Sequence, residues 1–410
     1  RRVRPYSDAA GPQFQQGALH FRRLTFTEAV MVIVGGNVGA AILSLPYAAR
    51  ASGYFGAVLI SLVTTGFSII SHLYIVEIML RTKSPGQLVG LMRTYMFDGR
   101  FGRLYVALVS VLTVGLAIPS LTAYVMGGGQ IIASLLHVPA WLGGLLFLAP
   151  GMAVVWVGLK AIGAAQGVSS LLMGGVLLMF TVVSAMHPQF DVSRLTRFSA
   201  SPMLAALPVG VFTSMSQSIV PEVVRGLAHD PKSIVRAIKW GLGINLLFLL
   251  LFPLAIFGLQ NPDAISQVVT ISWGRTLGPA IYLTINLFAL LALLTSFWAG
   301  AGAVMGNVVE IMRADSEWNI RARLAAFGVT VVPSLALVFL GRLEFGDMIE
   351  AAGAVGGVIL AVLPIFVLAR ARAASGRQPE YQVGILYSPV VKVALLLFYV
   401  GVLAYAALAR

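Results

Sequence analysis

Long apolar stretches separated by short polar connections make up most of this chain. Eleven of them are about 20 residues or longer, the length that an α-helix needs to cross the hydrocarbon core of a bilayer. The pattern predicts eleven membrane-spanning helices, numbered here spans 1 to 11, at 27–49, 55–80, 104–136, 141–159, 163–186, 202–227, 234–259, 279–312, 322–340, 348–369 and 389–409. A polar tail precedes span 1 at 1–24, and the longer polar connections are 81–103 and 187–201.

Span 1 contains residues that an uninterrupted helix does not need. Its middle reads VIVGGNVGAAILSLPY at 32–47, with Gly35, Gly36, Asn37 and Gly39 close together. Glycine in a helix interior is about 1 kcal/mol less favourable than alanine. The stretch therefore predicts a helix that is broken near the membrane midplane, where freed backbone amides and carbonyls can hold an ion and a substrate. The alternative is that the glycines let two unbroken helices pack closely.

Span 6 carries a second interruption. Its centre reads TSMSQS at 213–218, and Pro221 and Glu222 follow. The alternative to a break is a kinked helix whose hydroxyl groups bond their own backbone. Two interrupted helices, five spans apart, are typical of an inverted-repeat transporter. The repeats would be spans 1 to 5 (about 27–186) and spans 6 to 10 (about 202–369), with span 11 as an addition, all within one domain at 25–410.

Composition and charge agree with a polytopic membrane protein. Of the 410 residues, 58% are hydrophobic and 10% are charged, whereas soluble domains carry about 25% charged residues. The absence of cysteine excludes disulfides, thiolate metal sites and cysteine catalysis. If the tail is placed in the cytosol, the cytosolic segments hold 21 lysines and arginines and the external segments hold 6, with Lys392 in span 11 completing the 28. This bias predicts an inner-membrane protein with a cytosolic N-terminus and an external C-terminus, and it accounts for the net charge of +13 without nucleic acid.

Ionisable residues inside spans are functional candidates, because burying a charge in the membrane is costly. Glu222, directly after the interruption of span 6, is the candidate for carrying a proton. The alternative is that it pairs with Arg225, three residues further along the same helix. We expect His72 and Glu77 in span 2 to make structural contacts or to reach interfacial water. The five histidines show no metal-ligand spacing, and no paired acids or Ser/His/Asp set indicates an enzyme.

Four segments resemble a known family. They are GGNVGAAILSLPYA at 35–48, AYVMGGG at 123–129, GLK at 158–160 with QG at 166–167, and LTSF at 294–297. They resemble motifs of the amino acid/auxin permease family, and most closely those of its bacterial branch, the hydroxy- and aromatic amino acid permeases. The resemblance implies the five-plus-five inverted-repeat fold of the bacterial leucine transporter and cation-coupled amino acid uptake. The SMSQS centre of span 6, at 214–218, departs from the Gly-rich or His-containing centre of that branch.

The resemblance also implies where a substrate would bind. The substrate carboxylate would lie against the break of span 1, at Gly36, Asn37, Val38 and Gly39. In span 6, Phe212, Thr213 and Met215 would offer backbone carbonyls to the substrate and side chains that line its pocket. Tyr124 in span 3 lies where that helix approaches the substrate, and its alternative role is a buried tyrosine bonded to a neighbour.

Two adjacent hydroxyl residues in span 8, Thr295 and Ser296, resemble the pair that completes a sodium site with carbonyls of the broken span 1, here around Gly35 and Val38. Hard oxygen ligands suit a small cation. The alternative is that both hydroxyls bond their own helix. Span 5 contains no lysine whose fixed charge could take the place of sodium, which favours a bound ion. The resemblance favours the opposite, because members of that family are regarded as proton-coupled, and Glu222 would then carry the proton. No other cofactor is expected.

The expected function is therefore cation-coupled symport of an amino acid by alternating access. A neutral, apolar or aromatic side chain is expected, because no acid or arginine lies at the centre of either interrupted span. The expected partners are the amino acid, the coupling cation and the bilayer, with no nucleic acid. Alternatives are a sensor or scaffold on the same fold, or a transporter of another small solute. A metal-ion transporter of this fold would need a ligand set in span 1, typically Asp-Pro-Gly-Asn, whereas the interrupted stretch here reads Gly-Gly-Asn at 35–37 and has no acid.

Overall fold

The computed structural model describes residues 13–16, 19–83, 91, 95–96, 102–157, 174–312, 314–316, 318–374 and 378–408. Several expectations lie outside these residues: the beginning of the polar tail, most of the connection 81–103, the first part of span 5, and the motif segments 158–160 and 166–167. The described chain is an all-α membrane body, preceded by a short hairpin of strands Gln13–Gln16 and Leu19–Arg22 that the sequence analysis did not predict.

The predicted spans are observed as helices whose ends lie within a few residues of the expected positions. Outside the interrupted spans the helices are Gly53–Thr82, Gly102–Leu136, Ala140–Val157, Gly174–Ala185, Pro231–Leu259, Pro279–Ile311, Ile320–Leu340 and Pro389–Leu408. Span 10 is Phe345–Gly357, a π-helical turn Val358–Val362, and Leu363–Ala374. By length and composition nine helical segments of the described chain can cross a membrane, and span 1 makes a tenth as a bent pair. The helix Gly174–Ala185 is the described part of span 5.

Both predicted interruptions are present. Span 1 consists of Phe26–Asn37 and Ala40–Ala48, and the chain bends by 42° between them. Span 6 consists of Met203–Phe212 and Val220–Gly226, joined by non-helical residues and one turn of 3₁₀ helix. Each interruption leaves backbone amides and carbonyls without the partners that a continuous helix provides.

The beginning of span 1 is fixed by local bonds and by span 6. Thr25 and Glu28 form a capping box, in which each side chain accepts a hydrogen bond from the backbone amide of the other. The Leu24 amide donates to the Gly226 carbonyl at 3.0 Å. The first half of span 1 therefore begins beside the residue at which the second half of span 6 ends.

A short helix, Val269–Leu277, lies between spans 7 and 8 and was not predicted, because nine residues carry too little periodic signal. Its Trp273 is fully buried, and the indole Nε1 donates to Ser184 Oγ at 2.8 Å. The ring also packs edge-on against Phe252 of span 7, with centroids 5.2 Å apart. The helix thus ties span 5 to span 7.

Glu77 anchors a cluster of polar groups at the end of span 2. We call this cluster the Glu77 clamp: Glu77, Arg81, Arg372 and Val383. The fully buried carboxylate accepts from Arg81 Nε at 2.8 Å, from Arg372 Nε and an Arg372 terminal nitrogen at 2.8 and 2.7 Å, and from the Val383 amide at 2.8 Å. This confirms the structural contacts expected for Glu77. The clamp joins span 2 to span 10 and to the connection before span 11.

Candidate functional site

The two interruptions meet at a pair of polar side chains. Asn37, at the end of the first half of span 1, is 4% exposed, and its Nδ2 donates to Ser216 Oγ of span 6 at 2.9 Å. The same nitrogen donates to the Ile33 carbonyl at 2.9 Å, which fixes the orientation of the amide. Asn37 Oδ1 is buried and has no hydrogen-bond partner among the described residues. The approach is close because residue 36 is glycine: a Cβ there would overlap Ile219 Cδ1.

The break of span 1 also contacts span 8. Ser296 Oγ donates to the Val38 carbonyl at 3.3 Å, and a Cβ on Gly39 would overlap the same Oγ. Thr295 Oγ1 donates to the Ala292 carbonyl of its own helix at 3.0 Å. The structure therefore brings Val38, Gly39 and Ser296 together, while the Thr295 hydroxyl has the local bond that was its alternative role.

Hard oxygens are available at this contact for a small cation. They are the Val38 carbonyl and the Ser296 hydroxyl, since an oxygen that makes one hydrogen bond keeps a further lone pair. Gly35 is buried in the last turn before the break. The chemistry of this oxygen set fits sodium better than a soft metal.

The break of span 6 already uses part of its backbone. The Phe212 carbonyl accepts from the Met215 amide at 3.2 Å, and the Thr213 carbonyl accepts from Asn245 Nδ2 of span 7 at 2.9 Å. A carbonyl oxygen has two lone pairs, so each can accept a second donor such as an ammonium group. Met215 is half-buried and lies against Gly356 of span 10, where a Cβ would come within 2.5 Å of its sulfur.

Two aromatic rings lie beside this break. The ring centroids of Tyr124 in span 3 and Phe212 in span 6 are 6.4 Å apart, with the planes tilted by 32°. Both side chains are buried, and Gly300 of span 8 faces the edge of the Tyr124 ring. The two residues that the sequence analysis placed on different walls of the site therefore form one aromatic surface.

Span 2 contributes polar residues to the break of span 6, and of these only His72 was named from the sequence. One face of this helix is polar and at most 2% exposed: Ser61, Thr64, Thr65, Ser68, Ser71 and His72. Thr65 Oγ1 and Ser214 Oγ are 3.0 Å apart, and Ser68 Oγ donates to the Ser214 carbonyl at 2.5 Å. The signal was present in the sequence, because these positions recur at helical spacing on one face and so oppose the apolar pattern of a lipid-facing helix.

His72 lies at the centre of these contacts. Its ring is fully buried, with Nε2 2.9 Å from Ser216 Oγ and Nδ1 2.7 Å from the Ser68 carbonyl. Next to it, Gln217 Nε2 donates to Ser71 Oγ at 2.9 Å. Structural contacts were expected for His72, but not that these contacts would be made to the break of span 6.

Glu222 lies further from these contacts along span 6. It is half-buried in the helix Val220–Gly226, which also holds the fully buried Arg225. Within the described chain its carboxylate is not among the groups that bond Asn37 or Ser216. The proton-carrying role predicted for Glu222 therefore stays a prediction.

Most of the chain is similar to known transport proteins. A model of the tryptophan/tyrosine permease family matches residues 23–407. A tryptophan-specific transport protein from Pseudomonas aeruginosa (strain UCBPP-PA14) is 26% identical over 337 residues, which cover 76% of this chain and 78% of that protein. Another from Haemophilus influenzae (strain ATCC 51907 / DSM 11121 / KW20 / Rd) is 22% identical over 382 residues, covering 86% and 89%.

Solved structures show the same fold. The crystal structure of MhsT in complex with L-phenylalanine superposes with a TM-score of 0.72 at 14% identity, covering 96% of this chain and all of that one. A manganese transporter from Eremococcus coleocola superposes with a TM-score of 0.60 at 14% identity, covering 94% and 85%. The expected leucine-transporter-like fold is confirmed. The matched proteins are permeases and transporters, which confirms that the chain is not an enzyme; the auxin permease part of the resemblance stays an expectation.

Proposed function

We propose a substrate and a coupling mode from one premise: the chain belongs to the tryptophan/tyrosine permease family. It carries a neutral aromatic amino acid, with tryptophan as the first candidate, across the inner membrane by cation-coupled symport. Support for the substrate comes from two tryptophan-specific transport proteins among its relatives and from its similarity to a transporter solved with L-phenylalanine. The N-terminus is cytosolic in this proposal, as the charge bias predicts.

The observation that carries the proposal is the meeting of the two interruptions at Asn37 and Ser216. The break of span 1 precedes a new helix at Ala40, and the amides at a helix N-terminus favour an anion. The substrate carboxylate therefore binds at 36–39. Its ammonium group binds carbonyls of the span 6 break, where Phe212 and Thr213 each keep a lone pair.

The side chain of the substrate lies against the aromatic surface of Tyr124 and Phe212. An aromatic pair contributes about 0.5–1.5 kcal/mol beyond its buried area, so this surface favours an aromatic substrate over an aliphatic one. Met215 completes the wall, since an unbranched thioether adapts to a planar ring.

The transport cycle is alternating access. In the sodium-coupled form, the ion binds at Gly35, Val38, Thr295 and Ser296, between spans 1 and 8, and stabilises the outward-open conformation. Such a shift requires only that the ion binds one conformation more tightly than the other. The bundle of spans 1, 2, 6 and 7 then rocks against the rest of the protein, and the site opens to the cytosol. In the proton-coupled form a protonatable side chain replaces the ion.

Uptake into proteoliposomes tests the proposal. Labelled tryptophan is offered with an inward sodium gradient and, separately, with an inward proton gradient and no sodium. We expect saturable uptake that phenylalanine and tyrosine inhibit and that lysine, glutamate and Mn²⁺ do not. Sodium-driven uptake that is lost in Ser296→Ala supports the ion site, and proton-driven uptake that is lost in Glu222→Gln supports the carboxylate. No tryptophan uptake by folded protein under either gradient overturns the proposal, and tryptophan binding without uptake indicates a sensor.

A further inference from the structure

We propose that His72 binds the coupling proton, and that Ser216 and Asn37 link its protonation to the binding of the substrate carboxylate. The inference rests on the proposed amino acid transport and names the atom that couples it to a proton gradient. It is carried by a chain of hydrogen bonds that joins span 2, the break of span 6 and the break of span 1.

The hydrogen bonds of His72 define which ring nitrogen carries the proton in the neutral ring. A backbone carbonyl can only accept, so the 2.7 Å contact with the Ser68 carbonyl requires a proton on Nδ1. Ser68 Oγ, 3.2 Å from the same nitrogen, donates its own proton to the Ser214 carbonyl, so it too can only accept from Nδ1. In the neutral ring Nε2 therefore has a free lone pair, and it accepts from Ser216.

The direction of the chain follows from the single proton of the Ser216 hydroxyl. Asn37 Nδ2 can only donate, so Ser216 Oγ accepts there at 2.9 Å and donates to His72 Nε2 at 2.9 Å. Each bond of the chain thus points from Asn37 through Ser216 to His72. Two hydrogen bonds separate Nε2 from the side chain at the carboxylate site.

Protonation of Nε2 reverses one bond of this chain. The imidazolium donates through Nε2 to Ser216 Oγ, which already accepts from Asn37 and now keeps its own proton for another acceptor. An anion that enters the break of span 1 can accept that proton. The proton that binds Nε2 comes from the external solution and is released to the cytosol when the site opens there, so its transfer is balanced over the cycle.

Charge makes the coupling favourable in one direction. A buried imidazolium without a counter-charge is strongly unfavourable, whereas a carboxylate within a few ångströms compensates it. Substrate and proton therefore each increase the affinity for the other by the same factor. Because the amino acid is a zwitterion, each cycle moves one net positive charge.

Other titratable and charged groups lie on the elements that pack against span 2. They include Glu222 and Arg225 on span 6, Lys232, Arg236 and Lys239 on span 7, Arg372 on span 10, Tyr399 on span 11, and Glu77 and Arg81 on span 2 itself. The carboxylate of Glu77 is held by both arginines of the Glu77 clamp. Both nitrogens of His72 are bonded to serine oxygens, so the ring responds to the break of span 6.

Proton uptake on tryptophan binding tests the inference directly. Purified protein in weak buffer receives tryptophan, and the protons taken up are measured together with the dissociation constant between pH 5 and 8. We expect about one proton to be taken up per tryptophan bound. At pH values above that at which the His72 ring titrates, the dissociation constant for tryptophan should rise about tenfold per pH unit. In His72→Gln, which keeps one donor and one acceptor but cannot titrate, proton uptake and the pH dependence should both vanish.

Transport assays separate coupling from a structural role. His72→Gln should still exchange internal for external tryptophan but should no longer accumulate it in response to a proton gradient. His187→Gln, in the connection between spans 5 and 6, is the matched control and should accumulate tryptophan as the wild type does. Ser216→Ala keeps the imidazole but removes its link to Asn37, and it should lower proton uptake per tryptophan even if His72→Gln fails to fold.

Two results would overturn the inference. The first is tryptophan binding by the wild type without proton uptake. The second is proton uptake that persists in His72→Gln, and its loss in Glu222→Gln would then assign the proton to that carboxylate. A wild type that binds no amino acid contradicts the proposed function instead, so the two failures are distinguishable.

Discussion

Replacing Gly39 with alanine tests the contact between the break of span 1 and span 8. The backbone tolerates the change, because the φ of −169° at Gly39 is extended and open to any residue. The space does not tolerate it: the new Cβ would overlap Ser296 Oγ and lie 2.9 Å from Ser296 Cβ. The penalty of Gly39→Ala is therefore steric and comes from one neighbouring side chain.

The expected size of the effect follows from packing. Inserting a methyl group into a closely packed site typically destabilises a protein by about 1–3 kcal/mol. Ser296→Gly removes both obstructing atoms, and the next neighbour is then the Ala292 carbonyl at 3.7 Å, an ordinary contact. Stability lost in Gly39→Ala should thus return in the double variant, with a coupling free energy of about 1–3 kcal/mol.

Thermal unfolding of the purified protein in detergent measures this cycle, and tryptophan uptake measures function in parallel. Gly243→Ala in span 7 is the matched control, because a Cβ there meets no atom within 4 Å. Gly39→Ala should unfold at a lower temperature than the control and should lose uptake. The double variant should recover stability but not sodium-dependent uptake, since the Ser296 hydroxyl is absent. A Gly39→Ala protein as stable and active as Gly243→Ala would refute the reasoning.

Two further changes test contacts at the ends of span 2. Glu77→Gln removes the charge that two arginines share, and should destabilise the protein by about a few kcal/mol. In thermal unfolding, the double variant Glu77→Gln/Arg372→Gln should recover part of this stability. A Glu77→Gln protein with the unfolding temperature of the wild type would contradict the clamp. Gly53→Ala places a side chain at a φ of +77° and against the Arg197 carbonyl. It should therefore lower the unfolding temperature more than Gly243→Ala does. Equal unfolding temperatures for the two variants would count against this contact.

The interruptions could be predicted because their causes are local. Gly35, Gly36 and Gly39 weaken the helix at the positions where they stand, and the run of hydroxyls before Pro221 does so in span 6. The resemblance of Thr295 and Ser296 to a cation-binding pair is likewise a property of two adjacent residues. Span boundaries followed from hydrophobic length alone.

The partners across the site could not be predicted in the same way. Asn37 and Ser216 are 179 residues apart, and no pattern in either segment identifies the other. The serines of span 2 were not recognised, because a membrane helix can satisfy a hydroxyl with its own backbone, as Ser61 does with the Ala57 carbonyl. His72 differs from these serines, because an imidazole cannot satisfy both of its nitrogens by bonding its own helix backbone. A histidine next to such serines in a membrane helix is therefore a stronger sign of contacts with another helix than the serines are.

In the proposed transport cycle, the Glu77 clamp limits which parts of the protein can separate. The buried Glu77 carboxylate accepts four hydrogen bonds, three of them from arginines, and opening the clamp would leave uncompensated buried charges, so opening it in each cycle would be costly. Lys83 and Glu380, 2.6 Å apart, reinforce the same junction. In the proposed rocking motion, spans 2 and 10 therefore stay joined at the clamp, and they can separate further towards the opposite membrane face, where span 2 begins.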